Sequence, residues 1–251
     1  MAIGSKAWIE RGGSLTLGEK WAITLGGVRK QLTLRASRHR KQRCVLDQLD
    51  AQALDSIAPP WDALAQISSG AAARLQPQWL TNHGWRTYAW GALLALNADL
   101  QYDRGLLFAA CQLHDLGLTS HDAHPVTECF TLRSARLARS ILKQACASAD
   151  EISRVEEAII LHMNLDVSIE QGVEAHLLQA GAGLDVVGLR FNEVPPTLRD
   201  AVLEKYPRLG FKGHICRCMS HEARAAPNSR AGLFVRRLGF LDLVAASPFD
   251  D

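Results

Sequence analysis

From about residue 60 onward the sequence carries a helix-period apolar pattern dense in Ala and Leu, and prolines stand at the edges of that pattern. Pro59, Pro60, Pro77, Pro125, Pro195, Pro196, Pro207 and Pro227 punctuate apolar stretches and do not interrupt them. Proline removes a backbone donor and clashes with the preceding turn, so helices begin or end at such positions. The spacing predicts helices near 61–74, 78–98, 104–116, 126–147, 151–164, 171–188, 197–205, 214–225 and 229–245. A chain of this kind folds into an all-α bundle. Residues 14–35 read differently. SLTLG, WAITLGG and KQLTLR are short Thr/Leu/Ile stretches broken by glycine, and they predict two or three short strands. The expected organisation is a small β-containing extension over 1–45, followed by a helical domain over 60–245. No period of 20–50 residues repeats.

Charge and composition narrow the class. The chain has 251 residues, 47% of them apolar and 22% charged, which suits an ordinary soluble protein. Twenty-eight Lys and Arg oppose 26 Asp and Glu, for a formal charge of +2. That balance excludes a globally basic nucleic-acid coater. One block is strongly basic: Arg29, Lys30, Arg35, Arg38, Arg40, Lys41 and Arg43 occur without an acid between them. No aromatic residue interleaves with it, so a solvated surface is the favoured reading, and a nucleic-acid-facing patch is the sharper alternative. No apolar run reaches the roughly 18 residues of a membrane span. Six cysteines without a secretory signal read as reduced thiols, so a cytoplasmic protein is expected.

Three predicted helices end in chemistry. Asp103 is a good N-cap, after which Leu106, Leu107, Ala110, Cys111 and then His114 share one stripe, with Asp115 beside it. Ile152, Val155, Ile159 and His162 line one face of the next. Val173, Leu177, Ala180 and Leu184 line a third, with Asp185 at its margin. His83 lies upstream within another helical segment. Imidazole and carboxylate suit a borderline divalent metal, and ligands from several helices can surround one ion in a bundle core.

The ordered set H…HD…D, with NHGWRTYAWG (82–91), LLFAACQLHDLGLT (106–119), AIILH (158–162) and LLQAGAGLDVVG (177–188), resembles the HD-domain metal-dependent phosphohydrolase superfamily. Within it, the flanking strings look like the branch that contains cyanamide hydratase. The resemblance covers roughly residues 60–245. It implies an HD-domain helical bundle and one divalent ion, zinc by preference, with iron or manganese as alternatives. His83, His114, Asp115 and Asp185 would be the ligands. It implies a metal-activated water attacking a small nitrogenous substrate such as cyanamide, with Asp115 or His162 moving the proton. The superfamily-level alternative is hydrolysis of a nucleotide-like phosphoester. The non-enzymatic alternative is a metal-containing module that binds a partner through 29–43. Relatives of the branch often carry an acid after a phenylalanine downstream of the HD pair; here CFTLRSARLA (129–138) has Thr131 at that place.

Arg86 lies three residues after His83, on the same helix face. It would bind an anionic substrate group or orient a ligand carboxylate. His121, in the loop LTSHDAHPVTE, is a candidate substrate contact, and neighbouring Asp122 and His124 suit a lid better than a metal site. His176 lies nine residues before Asp185, which puts the two on opposite faces of one helix. Cys216 and Cys218 in HICRCMSH would point about 200° apart on a helix and could not share an ion. Near the ligands stand Arg86, Arg104 and Arg190 with no lysine cluster, which favours a small, weakly charged substrate. The expected partner is therefore a small molecule. Nucleic acid is disfavoured, a membrane is not expected, and a homo-oligomer remains open.

Overall fold

The computed structural model describes residues 3–37, 53–119 and 127–251. All regular elements among them are helical: α1 (Lys6–Glu10), α2 (Leu17–Ser37), α3 (Ala53–Ser56), α4 (Ala63–Leu75), α5 (Gln78–Asn97), α6 (Arg104–Leu113) and α7 (Leu116–Thr119), followed by α8 (Phe130–Gln144), α9 (Ala149–Leu161), α10 (Val173–Val187), α11 (Pro196–Lys205), α12 (Phe211–Ala225), α13 (Arg230–Arg237) and α14 (Phe240–Ala245), with short 3₁₀ turns at Ile169–Gln171 and Phe191–Glu193. No helix of the described residues is long and apolar enough to cross a membrane.

The strands expected over 14–35 are replaced by α2. The physical reason lies at its first turn. Thr16 Oγ1 accepts from the Glu19 amide while Glu19 Oε2 accepts from the Thr16 amide, a reciprocal pair that satisfies orphan donors and nucleates a helix. The glycines that suggested strand breaks, Gly26 and Gly27, instead sit against Leu165 and Leu238, where a side chain would crowd. Ahead of α2, Trp8 is fully buried among Leu15, Cys129, Leu132 and Leu233, so the segment 6–15 is docked on the helical body.

Local signals fix the other helix ends much as the sequence implies. Asp62 and Asp103 accept from Ala65 and Leu106 amides as N-caps, and Ser148 with Glu151 forms a capping box. The predicted helix 104–116 stops at Leu113, which leaves His114 and Asp115 in a turn before α7. The predicted helix 229–245 divides into α13 and α14 at Gly239, whose φ of 60° a side chain would strain.

The core centres on α5 and α10, which pack antiparallel, flanked by α4, α6, α8 and α9. Along this seam His83 meets Asp185, Thr87 meets Gly181, and Gly91 meets Leu177. A Cβ built on Gly181 would stand 2.2 Å from the Thr87 carbonyl oxygen, so only glycine permits this approach. Gly181→Ala should therefore destabilise by about 3 kcal/mol, the upper end for overpacking. Gly183→Ala should cost less, because its Cβ would meet only the movable Leu189 side chain, at 2.9 Å. Urea unfolding of the two variants checks this; equal losses would refute the packing account.

Candidate metal centre

Four helices bring the site together. His83 comes from the middle of α5, His114 and Asp115 from the turn after α6, His162 from the C-cap of α9, and Asp185 from α10. All five are buried. The last carbonyls of a helix lack intrahelical partners. Two histidines exploit this: Nδ1 of His114 lies 2.8 Å from the Cys111 carbonyl, and Nδ1 of His162 lies 2.6 Å from that of Ile159. His83 Nδ1 instead meets Asp185 Oδ2 at 2.7 Å. Each Nδ1 therefore holds its proton on a fixed acceptor, and each Nε2 is the free lone pair.

Those lone pairs converge. Nε2 of His83 and Nε2 of His114 are 3.2 Å apart, and Asp115 Oδ2 lies 3.3 Å from the second and 3.7 Å from the first. All three ligand atoms fall within 4.8 Å of one another. Tetrahedral ligands bound to zinc at ordinary lengths stand about 3.3 Å apart. Two facing imidazole lone pairs beside a buried carboxylate are unfavourable alone and are what a divalent cation stabilises. The residues present thus fit a metal. His162 Nε2 stands 3.6 Å from the other carboxylate oxygen, Asp115 Oδ1.

Asp185 is brought to the site but not into this trio. Its Oδ1 accepts from Arg86 Nε at 2.8 Å and Trp90 Nε1 at 3.0 Å, and its Oδ2 accepts from Arg86 Nη2 at 2.9 Å as well as facing His83. Arg208 Nη1 approaches Oδ1 at 3.4 Å. Asp185 therefore holds the far side of the His83 ring. Of the two roles open to Arg86, its position fits orienting a carboxylate: it is fully buried, and its remaining bonds go to the Tyr206 and Pro207 carbonyls. Sequence reasoning on metal-ligand types passes over Trp90, although His83, Arg86 and Trp90 follow i, i+3, i+7 spacing. Arg208 carries no local signal of its own.

Burial and charge oppose each other here. Burial lowers the His83 pKa, only partly offset by Asp185. Burial, with the neighbouring His114 charge, pushes His162 down to about 3. Burial also opposes protonation of His114, but the Asp115 carboxylate outweighs it and raises the net value. Burial would raise Asp115 and Asp185, yet the surrounding imidazoles, and for Asp185 chiefly Arg86, hold both below the usual carboxylate range. In the metal-free protein the unfolded chain thus binds protons at His83 and His162 below about pH 6.5 that the folded chain refuses. Stability should fall as pH drops from 6.5 toward 3. His114 contributes with the opposite sign, its stabilisation being lost as pH rises through its folded value. Melting temperatures across this window check it, and His162→Leu should flatten the decline; an unchanged slope would contradict the assignment.

Above the trio lies a cavity of about 160 Å³. His83, His114, Asp115 and His162 form its polar end, and among the described residues that line it there is no Lys or Arg. The segment 120–126 lies outside the described residues, and His121, Asp122 and His124 fall there; its sequence also lacks Lys and Arg.

The chain is distantly similar to cyanamide hydratases. Cyanamide hydratase DDI2 and cyanamide hydratase DDI3 of Saccharomyces cerevisiae are each 24% identical to it over 156 residues, 61% of this chain and 69% of theirs. No family model matches the chain.

The remaining candidates stand apart from the cavity. His176 Nδ1 bonds the Val167 carbonyl at 2.7 Å. Cys216 and Cys218 lie on the uninterrupted helix α12. Arg104 bonds the Ser56 and Ala58 carbonyls, and Arg190 pairs with Glu193. Thr131 is buried off the cavity, and its hydroxyl accepts from Arg230 Nη2 at 2.9 Å. The same guanidinium also donates to Ile160 O and to Asn164 Oδ1, at 2.6 Å each. Among the described residues no carboxylate pairs with Arg230, so neutral oxygens fill the place where an acid at 131 would stand.

Proposed function

We propose that this protein is a metal-dependent hydratase or hydrolase that adds water to a small, neutral nitrogenous substrate such as cyanamide. The observation that carries the reading is the convergence of the His83 and His114 Nε2 atoms on Asp115 at the base of a cavity whose described lining has no Lys or Arg. His83, His114 and Asp115 would hold the ion, zinc by preference for this donor set and spacing. Bound there, such an ion supplies Lewis-acid polarisation and an activated water near neutral pH.

The chain's own residues do the rest. Asp185, fixed by Arg86 and Trp90, keeps the His83 proton on Nδ1 and the ring in one orientation. His162 lines the cavity with its Nε2 3.6 Å from Asp115 Oδ1, so it is the side chain placed to take a proton from the attacking water. The nitrogen that gains electron density then receives that proton. The apolar walls exclude bulk water and strengthen these interactions.

A phosphoester substrate is less well supported. Transferring phosphoryl groups require cationic clamps, and neither the described lining nor segment 120–126 offers Lys or Arg. A panel of cyanamide, small nitriles and nucleoside monophosphates, run on protein of measured metal content, tests the choice. Chelator-sensitive hydration of a cyanamide or nitrile is expected, with no phosphate released. Phosphate release from a nucleotide without hydration of any nitrile would overturn the reading.

A further inference from the structure

Cyanamide has three heavy atoms, and this cavity is too large and too apolar for it alone. A cavity of about 150 Å³ lined by aliphatic and aromatic side chains stays dry and accepts benzene. The cavity here has about 160 Å³. Beyond its polar end the walls come from Leu118, Phe130, Val187, Met219, Phe240 and Leu243, contributed by five helices. Phe130 and Met219 are almost fully buried, so the wall is built into the core and is not a surface crease. Among the described residues, the only polar side chains in the lining besides the histidines and Asp115 are those of Asn164 and Gln179, and each has one polar atom engaged within the protein. Asn164 Oδ1 accepts from Arg230, and Gln179 Nε2 donates to the Asn164 and Leu165 carbonyls. Beyond the polar end, the described wall thus offers a ligand at most these two neutral amides and no charged group.

We infer that the substrate joins a compact nitrile-type head to an uncharged apolar body of about six carbons, as in a monosubstituted cyanamide with one ring. This rests on the hydration reading above and refines it. The head faces His83, His114, Asp115 and His162, and the ring fills the space between Phe130, Met219 and Leu243. The reaction balances without a redox partner. Water oxygen bonds to the nitrile carbon as the first carbon–nitrogen π bond breaks, giving R–NH–C(OH)=NH. The hydroxyl proton then moves to that nitrogen as the second carbon–nitrogen π bond gives way to the C=O bond, so both water protons end on nitrogen and R–NH–C≡N becomes R–NH–CO–NH2. His162 carries one of those protons. Fully burying a ring the size of a phenylalanine side chain contributes up to about a 100-fold factor in binding. A ring should thus raise kcat/KM by about 100-fold over cyanamide.

The test compares cyanamide with phenylcyanamide as substrates, and urea with phenylurea as ligands, on the metal-loaded protein. Leu243→Trp, at the rim, and Val187→Phe are made to fill the cavity. The expected results are about 100-fold higher kcat/KM for phenylcyanamide, binding of phenylurea at concentrations where urea shows none, and a preference reduced at least tenfold in a folded filling variant. Turnover of cyanamide equal to or better than phenylcyanamide overturns the inference while the hydration reading survives. Tight phenylurea binding, lost in the filling variants but without turnover of either substrate, supports the recognition and counts against hydration. Phenylurea binding no better than urea overturns the inference whatever the rates.

Discussion

Asp115→Asn should empty the site of metal and reduce turnover by at least about 10²–10³-fold, the loss typical when one electrostatic contributor to the transition state is removed. Asn matches Asp in shape, so the helices should keep their places. What changes is charge. Among the described residues, Asp115 is the one anion facing the Nε2 atoms of His83, His114 and His162, at 3.7, 3.3 and 3.6 Å. Two neutral imidazoles alone hold a divalent ion poorly in a buried setting, because the cation's lost hydration is then opposed by no charge. Elemental analysis and kinetics on the same preparation, with circular dichroism to verify the fold, decide the matter. A variant that keeps full metal content and full rate would remove Asp115 from the site.

Arg86→Met should destabilise the protein by about 3–5 kcal/mol, the cost of leaving a buried charge without its principal partner. Both atoms of this pair are fully buried, and the bond is bidentate, Nε to Oδ1 and Nη2 to Oδ2. Arg208 at 3.4 Å is too distant to replace it. Total stabilities of about 5–15 kcal/mol make this a large fraction. Arg86→Lys should fall between, since one ammonium cannot serve two carboxylate oxygens and the Tyr206 and Pro207 carbonyls together. The same substitution should weaken metal affinity about 10–100-fold, as expected when a residue behind a ligand is lost. Denaturant unfolding and metal titration read the two effects separately. A loss under about 1 kcal/mol in Arg86→Met would show that Asp185 does not depend on it.

The helical body was legible because its signals are local. Asp103, Asp62 and Ser148 cap helices through bonds spanning three residues, and the apolar stripe ending at His114 is a property of one helix. The N-terminal segment carries a strand signal in sequence and folds as a helix for a related reason. The Thr16–Glu19 pair that starts α2 is short and weak as a sequence signal, while Thr, Leu and glycine in succession favour a strand reading. Distant similarity to the two yeast cyanamide hydratases agrees with the branch suggested by NHGWRTYAWG and its companion strings.

The sequence by itself determined the helix stripes, the residue types fit for a divalent ion, and the likeness that joins His83 to His114 and Asp115. Tertiary structure alone decided which ring nitrogen faces inward, that Asp185 holds His83 from behind together with Arg86, Trp90 and Arg208, and that the cavity above is apolar. The physical reason is range. Caps and stripes act across three or four residues of one helix, whereas contacts such as His83–Asp185 span about a hundred residues and exist only once Gly181 lets α10 lie against α5.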